Sequence, residues 1–143
     1  MSARDGTETV EICLSARPEN VALARLALVG VAAMSNATVD EIADLKLAVS
    51  ELCTNAVVHA YEDGEGYVLL RFTSAGDSLT VEVADAGIGF DAEPADARVS
   101  APQSESGRLG LVIARAIADE LVVHSGSAGS RVVLSKRLGG VAT

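Results

Sequence analysis

Two pairs of short alternating runs in the second half of the chain restrict its fold more than any other feature. Tyr67 to Thr73 and Leu79 to Ala84 flank the turn sequence Ser74-Ala75-Gly76-Asp77. Leu121 to Val123 and Arg131 to Leu134 flank Ser127-Ala128-Gly129-Ser130. Alternation of apolar and polar residues is the period of a half-buried strand, and connections this short predict two β-hairpins. Hairpin partners run antiparallel, so a doubly wound parallel sheet is excluded. A fifth strand is predicted at Thr9 to Leu14, where Val10, Ile12 and Leu14 alternate with Glu11 and Cys13.

Three helical patterns complete the order β-α-α-β-β-lid-α-β-β. Pro18 and Glu19 suit a first helical turn, and the apolar run that follows extends to about Met34. That run is apolar almost all round, with Arg25 its one charge after Glu19. Such a helix asks for two buried faces, one on the sheet and one against a partner or second copy. A core helix with Arg25 snorkelling to water fits the same residues. Thr38-Val39-Asp40-Glu41 reads as a capping box for a second helix with the seam Ile42, Leu45, Val49, Leu52 and Ala56, ending near Tyr61. From Asp91 to about Ser106 the chain lacks large apolar residues and carries Pro94 and Pro102, the composition of a lid or a disordered segment. Leu109, Val112, Ala116 and Ile117 mark the third helix. The expected architecture is an α/β two-layer sandwich, a mixed but mostly antiparallel sheet with three helices on one face. Its domain spans residues 8–137, between a disordered N-terminus at 1–7 and a flexible C-terminus at 138–143.

Composition narrows the function. The 143 residues are 49% hydrophobic but only 3% aromatic, with no Trp, so one core must be built from Ala, Val, Leu and Ile. A formal net charge of −9 leaves no basic face for direct nucleic-acid binding and none for anionic membranes. No targeting or membrane-spanning run is visible, and a cytoplasmic protein is expected. Cys13 and Cys53 both stand in apolar patterns and read as reduced core residues; with His59 and His124 they have no zinc-ligand spacing.

Three motifs could carry chemistry. Glu51, Asn55 and His59 recur every four residues and form one polar stripe beside the apolar seam of the second helix. By spacing alone, that stripe borders a cleft or is a solvated face. Asp85-Ala86-Gly87-Ile88-Gly89 follows a hairpin strand, where the glycines permit close approach of another group; many strands end in such a turn. Gly107-Arg108-Leu109-Gly110-Leu111 stands where the lid meets the third helix, either a phosphate cradle ahead of a helix N-terminus or a hinge.

In this order, within one small domain, the motifs resemble the GHKL ATP-binding superfamily of gyrase, MutL and histidine kinases. Ser15-Ala16-Arg17-Pro18-Glu19-Asn20, Ser50-Glu51 through Thr54-Asn55-Ala56, and His59-Ala60-Tyr61 look more narrowly like the anti-sigma-factor serine kinases. The resemblance covers residues 8 to 137. It implies the Bergerat fold, with ATP and Mg²⁺ as cofactors. Asn55 would ligate Mg²⁺, and Glu51 would act as general base toward a serine hydroxyl. His59 would lie near the nucleotide, and Asp85 would accept a hydrogen bond from the adenine amine beside Gly87 and Gly89. Backbone N–H groups of Gly107, Gly110 and Leu111 would frame the triphosphate, and Ser130 would stand near the adenine. Arg108 separates the two glycines where the family often has a tighter Gly-x-Gly; it would contact phosphate or point outwards. Arg25 matches the family's partner-contacting arginine. The implied function is a protein serine kinase and anti-sigma factor. It would phosphorylate an anti-anti-sigma protein of the STAS type, sequester a sigma factor, and form a homodimer. The alternative is a non-catalytic ATP-binding regulatory module.

Overall fold

The computed structural model describes residues 7–62, 66–85, 105–126 and 129–139. Its strands are β1 (Thr7–Ser15), β2 (Tyr67–Ala75), β3 (Ser78–Asp85), β4 (Glu120–Gly126) and β5 (Gly129–Arg137). They form one sheet in the order β1-β2-β3-β5-β4, and each neighbouring pair is antiparallel. The mixed sheet expected from sequence is therefore antiparallel throughout its described strands. Both predicted hairpins form; the loop between β2 and β3 is two residues long, and Gly76 at its first position takes φ +62°, as a tight hairpin turn requires. Register brings Val10, Phe72, Val81, Leu134 and Leu121 into one row across the sheet. Phe72, Val81 and Leu134 are fully buried there, so a one-residue slip of any strand would turn its core residue to the other face.

The helices are α1 (Val21–Met34), α2 (Val39–Glu62) and α3 (Glu105–Ile117). Pro18–Asn20 forms a separate 3-10 turn ahead of α1, where the sequence pattern predicts a continuous helix, and the Asn20 amide donates to the Ser15 carbonyl at 2.8 Å. The capping box at the start of α2 forms as predicted. Thr38 N–H donates to Glu41 Oε1 at 2.8 Å, and Glu41 N–H donates to Thr38 Oγ1 at 3.1 Å. Ala24, Leu28, Val31 and Ala32 of α1 and Leu45, Ala48, Val49, Leu52, Cys53 and Val57 of α2 pack with the sheet row in a single core. Each leucine so buried is worth roughly 1.5–3 kcal/mol.

Several expectations are corrected. Leu109, Val112 and Ala116 of α3 are exposed, while Gly110 and Ala114 are buried. Helical spacing is satisfied by both faces, but only the small-residue face lets α3 lie close on α2. Cys13 is exposed, because Val10, Ile12 and Leu14 take the inner positions of β1; Cys53 alone is a core thiol, and both are free. Thr7 opens β1, and Leu138, placed outside the domain by its composition, is 4% exposed and part of the core. The first helix does carry two apolar faces. One is in the core; the other leaves Leu23, Leu26 and Met34 exposed among the described residues.

Glu41 also accepts from Gly139 N–H at 3.1 Å, so one carboxyl ties the start of α2 to the end of the chain. The hydrogen bond from the Thr38 backbone holds its pKa below the ordinary value; desolvation opposes it, and the bonds from Gly139 and the Thr38 side chain lower it further. A depressed folded-state pKa contributes stability above the unfolded-state value, and that contribution is lost as pH falls through the folded value. Glu41→Gln is therefore expected to lower stability in urea denaturation at neutral pH, with the difference from wild type shrinking in acid as the native carboxyl protonates. Thr38→Ala should cost about 1 kcal/mol.

Candidate active site

Glu51 and Asn55 stand one turn apart on α2, both half-buried, beside the fully buried Leu52 and Cys53. A polar pair so close to a core needs a neighbour that neither fills its space nor leaves it to bulk water. Helix α3 supplies one. It crosses the pair at Gly110, where an added Cβ would lie 3.0 Å from Glu51 Oε1, 3.3 Å from Glu51 Cβ and 3.3 Å from Asn55 Nδ2. Glu51 and Asn55 therefore face a helix–helix contact rather than open solvent.

The same contact changes the reading of the glycine motif. Helix α3 begins at Glu105, so Gly107 lies in its first turn and Gly110 in its second, instead of preceding it. Only first-turn N–H groups are unspent in a helix. Gly107 keeps a donor that can meet an anion, whereas the N–H groups of Arg108, Gly110 and Leu111 belong to the helical ladder. Of the backbone donors expected to frame a triphosphate, Gly107 lies in the first turn of α3, and Gly110 and Leu111 lie beyond it.

At the end of β3, Asp85 is 5% exposed and points to the helix side of the sheet, as Val81 and Val83 do. Its two carboxyl oxygens accept from Ser130 N–H at 3.0 Å and Ser130 Oγ at 3.2 Å. Two residues singled out separately in the sequence thus form one unit, with Ser130 of β5 fixing the plane of the Asp85 carboxyl. That suits recognition of a planar hydrogen-bond donor.

Arg25 stands on another side of α2. Its guanidinium donates to Ser50 Oγ at 3.3 Å, and it lines a groove of about 350 Å³ with Pro18, Glu19, Val21, Ala22, Thr54, Val57 and Val58. Burial pushes the nearby Cys53 thiol up to about 11, against the opposing pull of the Arg25 charge, so Cys53 is a neutral core thiol and no nucleophile. The contact of Ser50 with Arg25 and the packing role of Gly110 were not visible in sequence: the first joins residues 25 positions apart on two helices, and a glycine inside an unrecognised helix turn reads as a hinge.

Gly87 and Gly89 lie outside the described residues, as do positions 91–104 of the expected lid. His59 belongs to α2 and Arg108 to α3, but their side chains are also outside the described residues. Among the described residues no group of three or more His, Cys, Asp or Glu side chains could hold a metal. A hard cation here would take Asn55 as protein oxygen ligand and complete its shell with ligand oxygens, a donor set that suits Mg²⁺ and not zinc.

Residues 14–136 match the family model of the histidine kinase-like ATPase domain. The chain is 41% identical to the serine-protein kinase RsbW of Bacillus subtilis (strain 168), over 96% of its own length and 90% of that protein's. It is 42% identical to the serine-protein kinase RsbW of Bacillus velezensis, over 92% and 86%. Among solved structures it is similar to the RsbU and RsbW domains of a Mycobacterium tuberculosis protein, with TM-score 0.68 and 27% identity over 92% of this chain and 32% of that one. The histidine kinase domain of a blue-light-activated kinase from Erythrobacter litoralis shares the fold, with TM-score 0.53 and 22% identity over 85% and 60%.

Proposed function

The chain belongs to the histidine kinase-like ATPase family, and from that footing we propose that it is an ATP-dependent protein serine kinase and anti-sigma factor. It phosphorylates an anti-anti-sigma protein of the STAS type and, when that protein is unavailable, holds a sigma factor. The observation that carries this reading is the pairing of a carboxyl and an amide, Glu51 and Asn55, one turn apart beneath Gly110. A module that only bound ATP would need the amide and not the acid.

Each group has a separate task. Asn55 Oδ1 would hold Mg²⁺, which would offset the charge of the phosphates. Asp85, oriented by Ser130, accepts from the adenine amine, and the N–H of Gly107 with the positive end of α3 meets phosphate. His59, Gly87, Gly89 and Arg108 are assigned to the nucleotide surroundings by the family resemblance alone. Glu51 accepts the proton of the target serine as the serine oxygen bonds to the γ-phosphorus and the bond from that phosphorus to the β–γ bridging oxygen breaks, with ADP leaving. Phosphoryl transfer asks for little beyond such positioning, so one base, one cation and one closed site suffice. The exposed apolar face of α1, with Leu23, Leu26 and Met34, supports a homodimer. No helix of the described residues is long and apolar enough to cross a membrane, and a cytoplasmic location agrees with that.

Two substitutions on the stripe separate the roles. Asn55→Ala should remove Mg²⁺-dependent ATP affinity in calorimetric titration while the fold survives. Glu51→Ala should keep that affinity and lose about 10²–10⁴-fold in transfer of labelled phosphate to a purified STAS protein. Unchanged affinity in the first variant, or normal transfer by the second, contradicts the assignment.

Arg25 serves the partners. It is an exposed cation at the rim of a largely apolar groove, where desolvation by a docked protein strengthens its hydrogen bonds. Arg25→Ala should weaken binding of a sigma factor or STAS protein by about 1–3 kcal/mol and leave ATP affinity unchanged, each measured by a separate titration. Equal loss of both would make Arg25 a support of the fold.

A further inference from the structure

We propose that Gly110 is a positioning residue for the Glu51 carboxylate, and that α3 sets where the base stands by resting a bare backbone against it. This rests on the reading of Glu51 as the base. Three ordinary reasons for a glycine fail at this position. Its φ is not in the left-handed region, so the backbone does not require it. Its N–H lies in the helical ladder, so it is not kept as a phosphate donor. In a helix interior glycine is disfavoured against alanine by about 0.8–1 kcal/mol, so helix formation argues against it.

Space is the remaining reason. Beside Gly30 of α1 an added Cβ meets nothing within 4 Å. At Gly110 it meets Glu51 Oε1 at 3.0 Å, with Glu51 Cβ and Asn55 Nδ2 both at 3.3 Å. Of these three, Glu51 Cβ is fixed by the α2 backbone, and Asn55 Nδ2 shares its amide plane with the oxygen assigned to the cation. The carboxylate is the free end of a flexible side chain, so it is the group that yields. A methyl at position 110 would therefore rotate the carboxylate away from its place, while its contacts with Glu51 Cβ and Asn55 Nδ2 ask only a few tenths of an ångström of give between α3 and α2. A base displaced by a fraction of an ångström from the serine proton is a slow base.

Gly110→Ala tests this. Labelled-phosphate transfer to a STAS protein that the wild-type chain phosphorylates should fall in kcat about tenfold to a hundredfold. The Kd for MgATP should stay within about twofold, and a crystal structure of the variant should show the Glu51 carboxylate displaced by more than the small shift of α3 against α2. Parallel loss of ATP affinity would make Gly110 a nucleotide contact and overturn the proposal; so would unchanged kcat. If the variant loses thermal stability, Gly110→Ala combined with Glu51→Asp, one methylene shorter, should recover part of the lost melting midpoint by relieving the closest contact, and no recovery at all overturns the proposal. Should the wild-type chain phosphorylate no STAS protein, the kinase reading fails by itself. The crystal structure then decides the positional claim: a displaced carboxylate sustains it, and an unmoved one overturns it.

Discussion

Helix α2 has to serve the core and the site from adjacent faces. Leu45, Val49, Leu52 and Val57 are buried against the sheet, and Glu51 and Asn55 stand only a fraction of a turn away from them. Polar groups this near an apolar core are costly when they lack partners, and a bulky neighbour would crowd them. The close crossing of α3 at Gly110 meets both demands, since a backbone without a side chain shields the pair without filling its space. The antiparallel sheet serves this crossing by giving α2 a largely apolar floor that includes the fully buried Phe72 and Val81.

Electrostatics sets the second constraint. A chain with net charge −9 that takes up a triphosphate works against its own field, and both Glu51 and Asp85 belong to the proposed site. In the proposed site the positive end of α3 would give partial compensation at the phosphate end, and a divalent cation on Asn55 would provide the rest. Asp85 is spent at the other end, where Ser130 engages both of its oxygens. Negative side chains are thereby kept for a proton and for a donor rather than set against phosphate.

Much of this was legible in the sequence wherever local chemistry decides the structure. The Thr38–Glu41 capping box, the Gly76 turn and the alternation of β2 and β3 involve neighbours in the chain, and all three form as read. The face of α3 was only partly legible: Ile117 packs on the core, but Leu109, Val112 and Ala116 share its helical pattern and are exposed, while the buried Gly110 and Ala114 have little hydrophobicity to reveal them. Close packing is recorded by the absence of side chain, which an apolar pattern does not register. The bond from Gly139 to Glu41 and the Ser130–Asp85 unit join positions far apart in the chain, so nothing local announces them. The stripe of Glu51 and Asn55 was visible as geometry, but only the fold distinguishes a pair beneath a helix from a pair facing solvent.

The most direct measurement is transfer of the γ-phosphate of labelled ATP, with Mg²⁺ present, from the wild-type chain to a purified anti-anti-sigma STAS protein, followed by identification of the modified residue. The account predicts label on a single serine of the STAS protein and none when Mg²⁺ is chelated. ATP bound with full affinity and no label on that protein would contradict it, leaving a nucleotide-binding module without a kinase.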